Sequence, residues 1–208
     1  MQKNDVIKSL ETAQDAPLSP WGLFGEWMAE AEKTEPSDHN AMCVATIGED
    51  GMPQVRVILL KGWDEQGFVF YGNYESAKGR ALDAHPVAAL NFYWKSLGRQ
   101  VRIDGAVEQV SAAESDAYYA SRPKGSRVGA WASQQSRPLA SRTALREAVE
   151  THDRKYAAQE DVPRPPHWGG WRVIPRRIEF WQAGEFRLHT RLVYTRTEGG
   201  WTKEMLYP

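Results

Sequence analysis

The alternation of apolar and polar positions along the chain predicts short β-strands framed by helices. Apolar runs of strand length are separated by turn sequences such as Gly48-Glu49-Asp50-Gly51. The predicted strands are residues 41–47, 54–61, 68–71, 87–94 and 99–110, followed near the C-terminus by 172–182, 188–197 and 200–206. Closely spaced strands of this kind favour an antiparallel barrel, and no alternation of strand and helix indicates a parallel sheet.

Apolar residues at helical spacing predict the flanking helices. Ser19 suits the N-cap of the first helix and Pro20 its first turn, and one apolar face continues until the helix ends before Pro36. Further helices are predicted at residues 76–84, 111–121, 128–133 and 141–157, with a proline-containing loop at 160–170. The chain is therefore predicted to be mainly β with flanking helices.

The length of 208 residues suits a single domain that buries its own core. We assign this domain to residues 17–208. Residues 1–16 are polar and follow no clear period, so we expect them to form a mobile N-terminal arm.

Composition excludes several classes of partner and location. A net charge of −1 lacks the basic excess typical of nucleic-acid-binding proteins. No apolar run approaches the roughly 18 residues that span a bilayer, and the N-terminus lacks the apolar core of a signal peptide. Cys43 is the single cysteine, which excludes an intrachain disulfide. We expect a cytoplasmic protein that binds neither nucleic acid nor membrane.

The usual sequence signatures of metal and nucleotide sites are missing. The five histidines do not stand at metal-ligand spacing, so no metal site is predicted. The chain has neither of the standard glycine-rich nucleotide loops and no nucleophile elbow. A phosphorylated ligand would therefore be bound by scattered Arg and Lys side chains and by helix N-termini.

The stretch 181–191 carries an unusual concentration of positive charge. Strands are predicted on both sides of a turn at 183–185, and alternate residues of a strand share one face. This alternation places Arg187, His189 and Arg191 together. Their mutual repulsion requires an anion nearby, unless the strand is simply a solvated edge.

Several other groups could bind an anion, although each also has an ordinary structural explanation as a cap or a solvated polar residue. They combine hydroxyls, amides and cations in ways that suit a phosphate. They are Arg56 and Lys61 at the ends of an apolar strand, Ser76 and Lys78 at a helix start, Tyr118, Arg122 and Ser126 around a turn, and Gln135 and Ser136 near Trp131.

Ordered motifs across most of the chain connect these groups. In sequence order they are R-V-I-L-L-K (56–61), F-Y-G-N (70–73), R-Q-V (99–101), S-R-P (121–123), S-x-x-G-A-W-x-S-x-Q-S (126–136), W-G-G (168–170), I-E-F-W-Q (178–182) and G-E-x-R-L-H-x-R (184–191). With this set, the chain resembles the pyridoxine/pyridoxamine 5'-phosphate oxidase family of FMN enzymes from about residue 20 to residue 208.

The resemblance implies an FMN-binding split β-barrel and a homodimer with FMN at the subunit interface. It implies that C4' of pyridoxamine or pyridoxine 5'-phosphate passes a hydride to flavin N5. Molecular oxygen, O2, would then reoxidise the flavin, with H2O2 and pyridoxal 5'-phosphate as products. The protein would contribute positioning and electrostatics, while the redox chemistry belongs to the flavin.

By motif position, the resemblance also assigns roles to residues. FMN would be held by Arg56, Val57, Ile58, Leu59, Leu60, Lys61, Tyr71, Gly72, Lys78, Gln100, Gln135, Ser136, Trp181 and Arg191. The substrate phosphate would contact Lys61, Tyr118, Arg122 and Ser126. Arg187 and His189, the predicted catalytic residues, would lie over the substrate ring, orient it and assist proton movement.

The chain departs from the family's pattern at Ala77, where an arginine usually precedes the lysine. We hypothesise that Arg80, one turn along the predicted helix, partly replaces that arginine.

Two other functions stay open at this point. One is a related split-barrel FMN oxidase that acts on another aromatic substrate, such as a phenazine precursor. The other is a non-catalytic protein that binds flavin or pyridoxal phosphate. Retention of the predicted phosphate-binding side chains argues against the first, and retention of both predicted catalytic residues argues against the second.

Overall fold

The structure, a computed structural model, describes Ile7 and residues 10–208. In this part of the chain the helices are α1 (Pro20–Thr34), α2 (Ala77–Ala84), α3 (Ala112–Ser121), α4 (Lys124–Ala132) and α5 (Arg142–Lys155). Helices α1, α2, α3 and α5 each follow a serine whose hydroxyl accepts a hydrogen bond from a backbone N–H of the first turn. No helix in the described residues is long and apolar enough to cross a bilayer.

The strands of the described residues form one antiparallel sheet. They are β1 (Ala41–Ile47), β2 (Pro53–Leu59), β3 (Gly62–Asp64), β4 (Gly67–Asn73), β5 (Val87–Trp94), β6 (Arg99–Gln109), β7 (Trp168–Gln182), β8 (Thr190–Thr197) and β9 (Gly200–Leu206). The order is β2-β1-β5-β6-β7-β4-β3, with β8 on β7 and β9 on β8. This mainly β architecture with flanking helices confirms the predicted fold class.

Strand β7 is the branch point of the sheet. Its first half pairs with β4 and its second half with β8, while β6 lies along its other side. The register between β6 and β7 shifts between Asp104 and Gly105, which marks a bulge. One strand thus carries side chains at two distant ends of the sheet.

The structure differs from the prediction at three elements. The sequence did not predict strand β3, and helix α4 begins directly after Pro123, whereas its start was predicted at residue 128. Strand β7 begins at Trp168, whereas 160–170 was predicted to be loop. The prolines that suggested the loop, Pro163, Pro165 and Pro166, all precede this strand, and the two glycines within its start serve close packing. A Cβ on Gly169 would overlap the Tyr74 hydroxyl, and one on Gly170 would overlap the Tyr71 ring.

Helix α1 closes the concave side of the sheet with an aromatic core. Phe24 is fully buried, and its ring lies 5.0 Å from each of the rings of Trp63 and Phe68 in edge contacts. Trp27 contacts Trp94 and Phe180 in the same manner. This core fixes the sheet from which the candidate site projects.

Part of the predicted N-terminal arm packs against the last strands. Residues Ala13–Asp15 form a short 3-10 turn, and Ala16 is buried. Lys203 on β9 donates to the carbonyl of Ala16 at 2.8 Å. Residues 1–6, 8 and 9 lie outside the described residues, so the mobility of the arm stays a prediction.

Candidate active site

A cavity of about 460 Å³ opens beside α3 and α4, at the end of β4. Eight of the predicted site residues line it: Leu59, Lys61, Tyr71, Gly72, Tyr118, Arg122, Ser126 and Gln135. They come from four separate parts of the chain, and the fold brings them together. The volume falls within the range typical of sites for small ligands.

Flat aromatic rings form one wall of this cavity. The rings of Tyr71 and Tyr118 stack 4.0 Å apart at 17°, and the ring of Trp168 lies 5.7 Å from Tyr71 at 10°. Trp168 was absent from the predicted site residues, although its W-G-G motif was noticed. Its position as the first residue of β7, opposite Asn73 on β4, could not be inferred from a stretch that predicted a loop.

The Tyr71 hydroxyl is held from outside the cavity by Glu114. Burial, followed by the charge of Glu114, raises the pKa of Tyr71 to about 12, so the phenol stays protonated and donates to this carboxylate. Arg172 in turn donates to both oxygens of Glu114, at 3.1 and 3.2 Å. No motif indicated Glu114, because its role depends on contacts between distant parts of the chain.

Arg122 provides the strongest sign of an anionic ligand. Its guanidinium lies 4.7 Å from the centre of the Trp168 ring, and burial lowers its pKa. One guanidinium nitrogen, Nη1, is buried and has no hydrogen-bond partner in the described part of the protein. A buried charged donor without an acceptor is costly, and an anion in the cavity would remove that cost.

Lys78 places a second buried cation beside the cavity. It is 7% exposed, and its ammonium donates to the Ser76 hydroxyl and the Gln135 amide oxygen, both at 3.1 Å. Burial, followed by the nearby charge of Arg56, lowers the pKa of Lys78 from 10.5 to about 8. Gly72 makes room for it, since a Cβ there would stand 2.6 Å from the ammonium nitrogen.

The side chains of residues 56–58 and 60, which were predicted to hold FMN, do not line the cavity. The Arg56 side chain donates to the Thr46 hydroxyl at 2.7 Å and is half-buried over β1. Val57 is exposed, Ile58 packs against the core and Leu60 is buried in it. Side chains of these three apolar residues are therefore directed away from the cavity, so any ligand contact there would use the backbone.

Ser136 and Arg80 complete the surroundings of Lys78. Ser136 has a positive φ of 69°, which bends the chain directly after Gln135. The Arg80 guanidinium donates to the Glu75 carbonyl at 2.7 Å and to Glu49 at 3.3 Å, and it lines a different cavity. These contacts do not support the hypothesis that Arg80 replaces the arginine missing at position 77.

The remaining predicted residues form a second group at the other end of β7. Gln100, Trp181 and Arg191 stand directly opposite one another on β6, β7 and β8, and therefore share one face of the sheet. The His189 ring lies 4.5 Å from the Trp181 ring. None of these side chains lines the 460 Å³ cavity.

The predicted strand face of Arg187, His189 and Arg191 is wrong in its geometry. Strand β8 begins only at Thr190, and Glu185–Arg187 form a tight 3-10 turn. The alternation of a strand therefore applies to Arg191 alone. His189 reaches the Trp181–Arg191 row through the turn, where its Nδ1 accepts a hydrogen bond from the Gly184 N–H at 3.1 Å.

The anion that offsets Arg191 is an internal residue. Glu179 is 1% exposed, and Arg191 Nε donates to it at 2.8 Å. Arg177 and Arg102 also contact this carboxylate, at 3.0 and 3.5 Å. The sequence argument expected a ligand to be the counterion of Arg191, but Glu179 on the neighbouring strand β7 already fills that role. Its predicted contact with FMN stays a prediction.

The two groups of predicted residues are far apart within one chain. Trp168 begins β7 and Trp181 is its penultimate residue, in a strand of 15 residues. A straight strand would separate them by roughly 40 Å, at about 3.3 Å per residue. Within one chain, the residues of the second group therefore lie apart from the lining of this cavity.

Two family models together match most of the chain. The family model described as pyridoxamine 5'-phosphate oxidase matches residues 28–155. The model described as the pyridoxine 5'-phosphate oxidase C-terminal dimerisation region matches residues 168–208. The second description supports the predicted homodimer.

Full-length relatives and solved structures agree with the two models. A pyridoxine/pyridoxamine 5'-phosphate oxidase of Brucella abortus is 58% identical over 208 residues, covering 98% of this chain and 100% of that protein. PhzG of Burkholderia lata, solved with tetrahydrophenazine-1-carboxylic acid, has a TM-score of 0.87 at 33% identity, covering 94% of this chain and 96% of that one. A pyridoxamine 5'-phosphate oxidase-related, FMN-binding protein of Nostoc punctiforme shares the fold, with a TM-score of 0.73 at 17% identity and coverage of 91% and 98%.

These matches confirm the predicted split β-barrel and the predicted oxidoreductase family. The fold, the full-length identity and both family models agree. The chain belongs to the pyridoxine/pyridoxamine 5'-phosphate oxidase family.

Proposed function

We propose that the protein is an FMN-dependent oxidase that converts pyridoxamine or pyridoxine 5'-phosphate into pyridoxal 5'-phosphate, with O2 as electron acceptor and H2O2 as product. The observation that carries this proposal is the side chain of Arg122, which lines the aromatic cavity and whose buried Nη1 has no hydrogen-bond partner among the described residues. A flat ring bearing a phosphate matches both the stacked wall and the unsatisfied cation.

The substrate phosphate fits the part of the cavity lined by Arg122, Lys61 and Ser126. Two cations and a hydroxyl supply charge-assisted hydrogen bonds to several phosphate oxygens. Tyr118 adds a second hydroxyl, and burial raises the pKa of that phenol, so it remains a donor. A neutral or merely carboxylated ligand would leave part of this set unsatisfied.

The residues around Lys78 fit the phosphate of FMN. Lys78 has a depressed pKa and neutral polar neighbours, Ser76 and Gln135. A phosphate would restore its full charge, and Gln135 and Ser136 would add polar contacts at the bend. When bound, the flavin would supply hydride acceptance at N5 and electron transfer to O2.

We propose that each active site is shared between two protomers. One protomer would contribute the cavity with Arg122, and the other would contribute the Trp181–Arg191 row with Arg187 and His189. The dimerisation region, residues 168–208, contains this second group apart from Gln100 on β6. The exposed apolar side chains of Val55 and Val57 on β2, 66% and 65% exposed, offer further surface for a second copy.

Within such a site, the turn fixes how His189 can act. Nδ1 of His189 accepts the Gly184 N–H, so the neutral ring carries its proton on Nε2 and presents a donor to the substrate. Arg187 adds an exposed positive charge on the same turn. We assign to this pair the orientation of the substrate ring and assistance to proton movement.

The structural similarity to PhzG keeps one alternative open, an oxidase of a phenazine-type substrate. The 58% identity to oxidases of pyridoxine and pyridoxamine phosphate and the unsatisfied Arg122 favour the first proposal. A non-catalytic flavin-binding protein is the third possibility.

One experiment separates the three functions. The purified protein is tested for a flavin absorbance spectrum, then mixed in air with pyridoxamine 5'-phosphate, pyridoxine 5'-phosphate or a dihydrophenazine carboxylate while H2O2 is followed. We expect bound flavin and peroxide from the phosphorylated vitamers. Peroxide from the phenazine compound alone would support the alternative oxidase, and bound flavin without any turnover would reject both oxidases.

We predict that Gly184→Ala lowers kcat/KM about 100-fold, the order of loss caused by a misplacement of about 1 Å. A Cβ at this position overlaps the Leu188 carbonyl, so the turn must open and displace His189. Gly199→Ala is the matched control, because a Cβ there meets nothing within 4 Å. Steady-state kinetics and thermal unfolding of both variants test this; equal kinetics for the two would contradict it.

A further inference from the structure

We propose that Phe186 anchors the 184–189 turn on the partner subunit and so positions Arg187 and His189 at the partner's cavity. The inference rests on the proposed shared site and adds a positioning residue that touches neither substrate nor flavin. Phe186 stands at the unassigned position x of the G-E-x-R-L-H motif, to which the resemblance gives no role.

The first support is the exposure of apolar side chains on this turn. Phe186 is 91% exposed and Leu188 is 71% exposed, so within one chain neither gains stability from burial. A single exposed apolar residue is ordinary. Two of them within the 184–189 turn, separated only by Arg187, form a small protruding apolar surface.

The second support is the backbone conformation. Phe186 has φ 53° and ψ 24°, and Arg187 has φ 65°, so two consecutive non-glycine residues are left-handed. Such a conformation disfavours a bulky side chain and costs of order 1 kcal/mol or more per residue. Asparagine or glycine would adopt it with less strain. The choice of phenylalanine therefore has no explanation in the local backbone.

The turn is nevertheless held firmly in this conformation. The Leu188 N–H donates to the Glu185 carbonyl and the His189 N–H to the Arg187 carbonyl, both at 2.9 Å. With the bond from Gly184 to His189, these contacts make a closed unit with Phe186 at its tip. A shift of the backbone at Phe186 would therefore also displace the neighbouring Arg187 and His189.

A second copy of this chain is the occupant that the observations favour. The turn lies inside the region that the family model describes as a dimerisation region, residues 168–208. The cavity and the turn are also at opposite ends of β7, so only a partner's turn can complete a given cavity. In the dimer, Phe186 would pack at the rim of the partner's cavity and exclude water there.

The first test compares the variants Phe186→Asn and Phe186→Tyr with the control Leu18→Asn. The control removes an apolar side chain that is 85% exposed and distant in sequence from the turn. We expect Phe186→Asn to lower kcat/KM about 10-fold or more, with FMN affinity changed less than about 2-fold. Its thermal midpoint should change little, because asparagine tolerates the left-handed conformation and so offsets the loss of the contact with the partner. Phe186→Tyr should keep at least half of the activity, and Leu18→Asn all of it.

If Phe186→Asn loses activity while its thermal midpoint is unchanged, the loss comes from a missing contact and not from a damaged fold. If Phe186→Asn keeps kcat/KM within about 2-fold of the wild type, the proposal is overturned. The same holds if Leu18→Asn loses as much activity. Wild-type protein that oxidises neither vitamer would instead reject the proposed function.

The second test does not require activity. In a Cys43→Ser background, which removes the single native thiol, Phe186→Cys introduces a thiol at the tip of the turn. We expect a maleimide to react with the introduced thiol at least about 10-fold more slowly in the dimer than in the protein unfolded by urea. Reaction of the folded dimer at the unfolded rate would show that the tip is free and would overturn the proposal.

Discussion

Mixing two inactive variants, Arg122→Ala and Arg187→Ala, should restore about one quarter of the wild-type activity through formation of mixed dimers. Each variant alone should retain roughly 1–10% of wild-type kcat/KM, since each loses a charge-assisted contact worth about 1.5–3 kcal/mol. Arg122 belongs to the cavity and Arg187 to the distant turn. If each active site takes one group from each protomer, every site of a pure variant carries one lesion.

The expected fraction follows from the symmetry of the dimer. In a mixed dimer, one site receives both lesions and the other receives none. Random association of equal amounts makes half of the dimers mixed, and half of their sites are intact, which gives about one quarter. The measurement is the peroxide-producing rate after subunit exchange, with the mixed dimers quantified by differently tagged subunits.

The control mixes Arg122→Ala with Lys61→Ala. Both residues line the same cavity, so each site of that mixed dimer keeps one lesion and no activity should return. Restoration in the control, or no restoration in the first mixture despite proven exchange, would show that the site is not divided in this way. A site completed within one chain predicts no gain from either mixture.

The two groups of predicted site residues show which parts of the structure the sequence could predict. Serine caps at Ser19, Ser76 and Ser111 identified three helix starts, because the cap depends on residues only three positions away. The cavity residues were predicted from motifs, and the fold brings eight of them together. The sequence therefore predicted those features that depend on neighbouring residues, such as helix caps, and those that belong to a family motif, such as the cavity residues.

The features that the sequence did not predict depend on contacts between distant residues or on an unfavourable backbone. Glu179 neutralises Arg191 across paired strands, and Glu114 holds Tyr71 across the barrel's edge. The turn at Phe186 adopts a left-handed conformation that its residue type disfavours, so the sequence argument treated the chain as extended from Arg187 onward. The prediction that His189 points as in a strand was wrong, because hydrogen bonds within the turn set the direction of its side chain.

FMN affinity should fall as the pH rises above about 8, with a slope that approaches tenfold per pH unit, because Lys78 must be protonated to bind the phosphate. The pKa of Lys78 is lowered from 10.5 to about 8 by burial and by Arg56. Below pH 8 the ammonium is already charged, so affinity is constant. Above pH 8 the free protein loses this proton, while a bound phosphate raises the lysine pKa again. Binding then requires proton uptake.

The affinity is measured by titrating flavin-free protein with FMN between pH 7.5 and 9.5, where the FMN phosphate, with a second pKa of about 6, remains a dianion. Lys78→Met should bind FMN about 10–100-fold more weakly at pH 7.5, in line with the loss of one charge-assisted contact. Its affinity should also become nearly independent of pH in this window. That double response identifies Lys78 as the titrating group, since a general loss of stability would leave the slope in place.

Arg80→Ala is the matched control from the same helix. The Arg80 guanidinium is occupied by Glu75 and Glu49, so its removal should leave both the affinity and the pH slope within about 2-fold of the wild type. A large loss in Arg80→Ala would restore the hypothesis that this arginine compensates for Ala77. An unchanged slope in Lys78→Met would instead assign the proton to another group. Because Lys78 has Ser76 and Gln135 as its neutral partners, we expect the lysine alone to set the pH at which the protein releases FMN.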